Sequence, residues 1–193
     1  MVTSESIRSM LTAGRHRLSS GRVCEIVKLV QAHPKKASQL IESLWDEDPG
    51  VAMRAADALE KLTRSDSSLL RSWKAPLLGL LTEAREKKLR WSLALVIPRL
   101  ALTPPECRRA AETLQSWLED SSSIVKTCAL QGLADLSRQD SSLQSAVVDL
   151  LRIHSRIGTP AMRARGRKLL QHLEKAENGL IVEVFGFRTV RKG

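Results

Sequence analysis

One helical pattern occurs four times in this chain at nearly equal spacing. After Val51, apolar or small residues recur 4, 5, 7, 8 and 11 positions later, which places them on one wide face of an α-helix. The pattern restarts at Leu89 and Val125 and, without its fifth-position member, at Met162, so the four anchors lie 38, 36 and 37 residues apart. This period, with two helices per unit, is typical of an α-solenoid, in which stacked helix pairs share one core. The predicted fold class is therefore all-α.

The spacing predicts about five helix pairs. Asp48 and Thr103 each precede a proline at the start of a helical pattern, so both are predicted N-caps. Pro76 and Pro98 fall inside helical patterns, where a kink or a break is expected. The predicted pairs are 4–13 with 22–32, 35–46 with 49–63, 67–83 with 86–102, 104–118 with 124–136, and a last pair that opens near 141 and ends near 176.

The chain is predicted to form a single helical domain over 1–178 and a basic tail over 179–193. Asn178 and Gly179 form a typical helix stop. Beyond them, β-branched and aromatic residues replace leucine and alanine. The tail is therefore expected to be short and irregular: a strand, an apolar lid over the last pair, or a partly disordered segment that orders on a partner.

The net charge of +10 is concentrated near the C-terminal end. Residues 152–193 contain ten basic and three acidic side chains, which gives +7 of the total. Such a patch attracts nucleic acid, anionic head groups or an acidic protein. It also suits the polar outer face that the terminal unit of a stack requires.

Cysteine content and hydropathy bear on the compartment. Three cysteines without metal-ligand spacing favour a reduced, intracellular setting. The sequence contains neither a secretory leader pattern nor an apolar run of membrane-spanning length. A cytoplasmic location is therefore expected.

Three stretches of the sequence resemble HEAT repeats: LWDEDPGVAMRAADAL, LEDSSSIVKTCALQGL, and APLLGLL followed by LRWSLALVI. Members of that family combine a first helix that often carries a proline, an aspartate near the turn, and a second helix that opens with valine, arginine and small residues. The resemblance covers about residues 35–176. It implies a right-handed α-solenoid of about five HEAT-like helix pairs.

The resemblance also assigns a role to the basic residue that follows the anchor. This residue is present as Arg90, Lys126 and Arg163. In the family such residues form an internal ladder with acids at the turns, here Asp48 and Asp120. The ladder supports stacking, although the same positions can also contribute to a groove.

Function in the family usually lies on the concave surface, which is lined by the second helix of each pair. Trp91 and Leu95 are four residues apart on a face that is expected to be polar, so they are a candidate anchor for a partner. Two alternatives would make Trp91 inaccessible to a partner. If the register is off by one residue, Trp91 lies in the core, and if the segment 180–190 folds back, it covers Trp91. The other positions predicted to face the groove are Arg54, Lys61, Arg99, Cys128, Arg165 and Lys168.

Three functions stay open at this stage. The first is a non-enzymatic scaffold that binds a protein or peptide in the groove without a cofactor or metal. The second follows from a resemblance to the HEAT-like alkylpurine DNA glycosylases, which implies DNA binding with Trp91 as the groove aromatic but without an assignable catalytic acid. The third, a resemblance to the bilin lyase group, implies an enzyme or chaperone that handles a tetrapyrrole, and it rests on fold alone.

Catalysis has little support in the sequence. The four histidines show no metal-ligand spacing, and neither a nucleophile elbow nor a phosphate-binding glycine loop is present. An enzyme is more weakly indicated than a binding protein. Catalytic groups contributed by distant repeats would leave no local motif.

Overall fold

A computed structural model describes residues 6–13 and 22–185, with side chains described as far as 173. Over these ranges the protein is helical and contains no strand, which confirms the all-α prediction. The α-helices are α1 Ile7–Thr12, α2 Val23–Ala32, α3 Ala37–Glu42, α4 Pro49–Thr63, α5 Lys74–Glu83, α6 Lys87–Val96, α7 Pro104–Ser116, α8 Ser123–Gln139, α9 Gln144–Ile157 and α10 Pro160–Phe185. Short 3-10 helices lie at Pro34–Lys36, Ser43–Trp45, Ser68–Trp73, Ile97–Arg99, Trp117–Glu119 and Ser141–Leu143.

The helices pack mainly against near neighbours. Each odd-numbered helix contacts the even-numbered helix that follows it. The even-numbered helices α2, α4, α6, α8 and α10 also contact one another in order, so that α6, for example, lies between α4 and α8. The helices therefore follow one another along the chain in the predicted order, and the even-numbered helices form a continuous row.

Capping residues and prolines set several helix ends. Asp48 Oδ1 accepts a hydrogen bond of 2.7 Å from the Gly50 N–H, which caps α4 as predicted. Pro76 lies in the first turn of α5, directly after a 3-10 segment, and Pro98 lies in the 3-10 turn that ends the α6 segment. Both prolines thus coincide with the expected breaks in helix geometry, because a proline lacks the N–H that continues an α-helix.

One hydrophobic core runs through the described part of the chain. The anchors Val51, Leu89, Val125 and Met162 are all buried. Of the residues eight positions later, Leu59, Ile97 and Leu133 are buried, and Leu170 on α10 is half-buried at the edge of the core. The periodic face identified in the sequence is therefore the face that excludes water.

The C-terminal part of α10 corrects one prediction. The helix continues through Asn178 and Gly179 to Phe185, so the predicted stop is wrong and 179–185 is neither a strand nor an irregular tail. A glycine inside a helix costs only about 1 kcal/mol relative to alanine. Extending a helix that has already formed adds one hydrogen bond per residue, which offsets that cost. The remainder of the predicted tail, 186–193, lies outside the described residues.

The contact between α6 and α8 leaves no room at Gly132. A Cβ atom there would collide with the carbonyl oxygen of Ala94 and lie 2.7 Å from Leu114 Cδ1. We therefore expect Gly132→Ala to lower the free energy of unfolding by about 1–3 kcal/mol, as overpacked core sites do. Urea denaturation followed by circular dichroism measures this change.

The matched control is Gly79→Ala on α5. A Cβ at this exposed position would meet no atom within 4 Å. Its expected effect is a stabilisation of up to about 1 kcal/mol, because alanine is the better helix former. If both substitutions shifted the urea midpoint in the same direction, the tight α6–α8 contact would be contradicted.

Glu106 links α7 to α5 through a carboxylate whose pKa is lowered in the folded protein. Its Oε2 atom accepts hydrogen bonds from Lys74 Nζ at 2.8 Å and from the Thr103 N–H at 2.7 Å, and these lower the pKa of Glu106 to about 2. Because this pKa is lower in the folded than in the unfolded chain, the carboxylate stabilises the fold above about pH 4.5 and loses that effect as the pH falls towards 2.

We expect Glu106→Gln to destabilise the protein at pH 7 by about 1 kcal/mol, the usual contribution of a hydrogen bond. The difference in the free energy of unfolding between Glu106→Gln and the wild type should narrow between pH 5 and pH 3, as measured by urea titrations. Glu112→Gln, at an exposed position of the same helix, provides the same charge change as a control. A gap for Glu106→Gln that stays constant with pH would be inconsistent with the lowered pKa.

Candidate functional site

An apolar pocket of about 250 Å³ lies on the row of even-numbered helices. Four of these helices contribute to its wall, with α6 and α8 in the middle. The lining residues are Asp57 and Glu60 of α4, Arg64 directly after α4, Trp91, Ser92 and Leu95 of α6, Ile124, Thr127 and Cys128 of α8, and Ala161 of α10.

Trp91 and Leu95 both line this pocket, as a predicted pair of outward-facing residues should. Both side chains are half-buried, and Trp91 packs against the core on one side and lines the pocket on the other. The alternative in which a register error places Trp91 wholly in the core is therefore wrong. The alternative in which 180–190 covers Trp91 concerns side chains outside the described part of the chain.

The indole of Trp91 contains an unusual donor. Its Nε1 atom is inaccessible to water and has no hydrogen-bond acceptor among the described residues. An unsatisfied buried donor costs about 1–3 kcal/mol, and folded proteins contain few of them.

Ile124 is a pocket residue that the sequence analysis missed. It lies in the first turn of α8, and 55% of its surface is exposed. A signal was present, because Ile124 directly precedes the anchor Val125, at a position where the other repeats have Gly50, Lys88 and Ala161. A large apolar residue at this otherwise small or charged position departs from the repeat pattern and so distinguishes Ile124 in the sequence.

The acidic side of the pocket was also missed. Glu60 is buried and accepts hydrogen bonds from Arg64 Nη2 at 2.8 Å and Arg99 Nη2 at 2.7 Å. Burial by itself raises the pKa of Glu60, but the hydrogen bonds from the two arginines outweigh it and hold the pKa below its ordinary value. Asp57 pairs with Lys61 at 2.9 Å. Both carboxylates therefore already accept hydrogen bonds from neighbouring cations of the same protein.

Two of the predicted groove cations serve the fold instead. Arg99 binds Glu60 and so joins the end of α6 to α4. Arg54 is buried, and its Nε atom donates to the Leu11 carbonyl, so its predicted exposure to the groove is wrong. The physical reason is that α1 packs against α4 and covers the face that carries Arg54.

Two further predicted cations, Arg165 and Lys168, are exposed on α10. Arg165 Nη1 donates to the neutral Gln131 Oε1 on α8 at 2.8 Å and forms no ion pair with another described residue. Lys168 forms no ion pair with another described residue. These two residues follow Ala161, which lines the pocket, at spacings of four and seven.

Cys128 lies in the pocket wall and is half-buried. Burial raises the pKa of its thiol to about 11, although the charge of Arg165 acts in the opposite direction. The thiol is therefore protonated near pH 7 and is a poor nucleophile. Its contribution to the pocket is apolar surface.

The predicted ladder has one rung in the described part of the chain. Arg90 Nη1 lies 2.5 Å from Asp120 Oδ2, and Arg90 Nε donates to the Ala84 carbonyl at the end of α5. Arg163 makes the equivalent contact to the Gly158 carbonyl at the end of α9, at 3.0 Å. These two arginines therefore satisfy carbonyls at the ends of odd-numbered helices, as a stacking role requires.

The other ladder positions differ. Lys126 forms no ion pair with any described side chain. Among the described residues, Asp48 forms no ion pair and caps its own helix, whereas Arg8 of α1 pairs with the neighbouring Asp46 at 2.6 Å. The described part of the first pair therefore supplies a cation to Asp46, and the described residues do not form the predicted rung at Asp48.

The ladder generates a matched pair of substitutions. Asp120 retains only 3% side-chain exposure, so Arg90→Met would leave a buried carboxylate without its cation. We expect a loss of about 1–3 kcal/mol in the free energy of unfolding, from urea denaturation. Lys126→Met changes the same position of the next repeat and should stay within about 0.5 kcal/mol of the wild type. Equal losses would show that Arg90 does not act through Asp120.

Comparison of the chain with protein-family models, with curated proteins and with solved structures found no match in any of the three. None of the helices in the described ranges combines the length and the apolar character needed to cross a membrane. Within the same ranges, no group of three His, Cys, Asp or Glu side chains is arranged to hold a metal ion.

Proposed function

We propose that this protein is a non-enzymatic, HEAT-like α-solenoid that binds a protein partner in a groove along its even-numbered helices. The repeat period and the continuous row of even-numbered helices support the architecture. The observation that carries the function is the pocket lined by Trp91, Leu95 and Ile124. Apolar and aromatic residues that stay partly exposed at one place are typical anchors of protein interfaces.

The size of the pocket favours a side chain over a cofactor. Its volume of about 250 Å³ lies below the range of about 300–1,000 Å³ that is usual for small-molecule sites. One or two apolar side chains of a partner fit such a space. A tetrapyrrole does not, so the bilin lyase hypothesis receives no support from the pocket.

The chemistry of the pocket favours binding over catalysis. Asp57 and Glu60 are ion-paired, and the Cys128 thiol has a raised pKa. The hypothesis of a DNA glycosylase needs a catalytic acid and a groove rich in free cations. Arg54 and Arg99 are engaged within the protein, which weakens that hypothesis.

Affinity capture tests the proposal. The tagged protein is used to capture a partner, which is identified by mass spectrometry, purified and titrated calorimetrically. Ile124→Ser is expected to weaken binding at least tenfold, which corresponds to about 1.4 kcal/mol. Because Ile124 is exposed, the Tm should shift by no more than a few degrees.

Ile157→Ser is the matched control, since Ile157 is 78% exposed on α9 and does not line the pocket. It should leave the affinity unchanged. Trp91→Ala provides a second test, interpreted only if its Tm also stays close to that of the wild type. A purified partner that binds both Ile124→Ser and Trp91→Ala with wild-type affinity would refute the proposal.

A further inference from the structure

Charge around the pocket is distributed unevenly. Over residues 144–173, which comprise α9 and the part of α10 with described side chains, six arginines and lysines face a single acid, Asp149. Asp149 pairs with Arg152 at 3.3 Å. On the opposite side of the pocket, Asp57 and Glu60 each already have a cation. Among the described side chains, the uncompensated charge near the pocket is therefore positive and lies on α10.

Two of these cations share a stripe of α10 with the pocket. Ala161 lines the pocket, and Arg165 and Lys168 follow it on the same helical face. At a rise of 1.5 Å per residue, they lie about 6 Å and about 10 Å further along the helix axis. The hydrogen bond from Arg165 to Gln131 holds the guanidinium over the α8–α10 boundary. Its charge also reaches the pocket wall, where it acts on the Cys128 thiol.

We infer that the partner of the proposed function is an acidic protein segment. One large apolar side chain of this segment enters the pocket over Trp91, Leu95 and Ile124, and its carboxylates bind Arg165 and Lys168. The inference rests on the proposed function and adds the chemical class of the partner.

The geometry sets the spacing of the partner's residues. An extended segment advances about 3.3 Å per residue, so its carboxylate stands two or three residues from the apolar anchor. A helical segment advances 1.5 Å per residue, which places the carboxylates four and seven residues away on one face. Carboxylates paired with arginine form charge-assisted hydrogen bonds, which are stronger than neutral ones.

Nucleic acid fits this surface less well. Duplex DNA presents one negative charge per about 1.7 Å along its whole length, with no apolar side chain for the pocket. Phosphates that followed the row of even-numbered helices would also meet the carboxylates of Asp57 and Glu60. An acidic peptide places its negative charge only where α10 is positive.

Fluorescence anisotropy with synthetic peptides tests the inference. The first probe is a fluorescein-labelled, helix-forming peptide with one central phenylalanine and glutamates four and seven residues away on both sides. The second and third replace these glutamates with glutamine and with lysine. We expect the glutamate peptide to bind at least tenfold more tightly than the glutamine peptide and the lysine peptide to bind most weakly.

Charge-reversal variants locate the binding site. Arg165→Glu and Lys168→Glu should each lower the affinity for the glutamate peptide at least fivefold. Lys168→Glu should also raise the affinity for the lysine peptide. Arg167→Glu changes the charge of the same helix by the same amount on a different face. Its affinity for the glutamate peptide should stay within twofold of the wild-type value. Ile124→Ser should weaken the glutamate and glutamine peptides alike. Circular dichroism checks that each variant is folded.

Three outcomes would overturn the inference. Equal affinity for the glutamate and glutamine peptides would refute the preference for an acidic partner and would not affect the proposed scaffold function. No binding of any peptide also removes it, while the capture experiment decides the scaffold function separately. Tighter binding of labelled single-stranded or duplex DNA than of the glutamate peptide, lost in Arg165→Glu but kept in Ile124→Ser, would replace a protein partner with nucleic acid and would count against both proposals.

Discussion

Close packing between consecutive even-numbered helices is the constraint on which the rest of the structure depends. At Gly132 of α8, the neighbouring helix α6 leaves no space for a methyl group beside the Ala94 carbonyl. Because helices approach only as closely as the side chains between them allow, this small residue sets the separation of α6 and α8. That separation sets the width of the pocket between Trp91 and Ile124, which come from those two helices.

Much of the fold was predictable because burial repeats with the helical period. The anchors, the helix order, the cap at Asp48 and the breaks at Pro76 and Pro98 all follow from local chemistry and a 3.6-residue period. The same reasoning identified Trp91 and Leu95, since an apolar residue on an otherwise polar face departs visibly from the pattern. Local patterns thus predicted the core and the centre of the candidate site.

Two of the features that were missed depend on contacts between distant segments. Arg54 occupies an outward step of its repeat, but α1, which lies outside the regular period, covers it. Arg99 also faces outward by periodicity, and its partner Glu60 is 39 residues away in the sequence. Ile124 lies just before the repeating face, at a step that the repeat pattern assigns neither to the core nor to the groove. At Gly179 the helix continues because the existing turns of α10 favour propagation over a stop signal.

The burial of Glu60 makes two parts of this surface respond differently to ionic strength. Its side chain is 8% exposed and bound by two arginines, so mobile ions screen that attraction weakly and the shape of the pocket stays constant. Lys168 stands in water, where the Debye length is about 8 Å at physiological ionic strength. Under the proposed function, added electrolyte would therefore reduce the discrimination between acidic and neutral partners while leaving apolar binding nearly intact. Under that proposal, selectivity and affinity at this site depend on physically separable interactions.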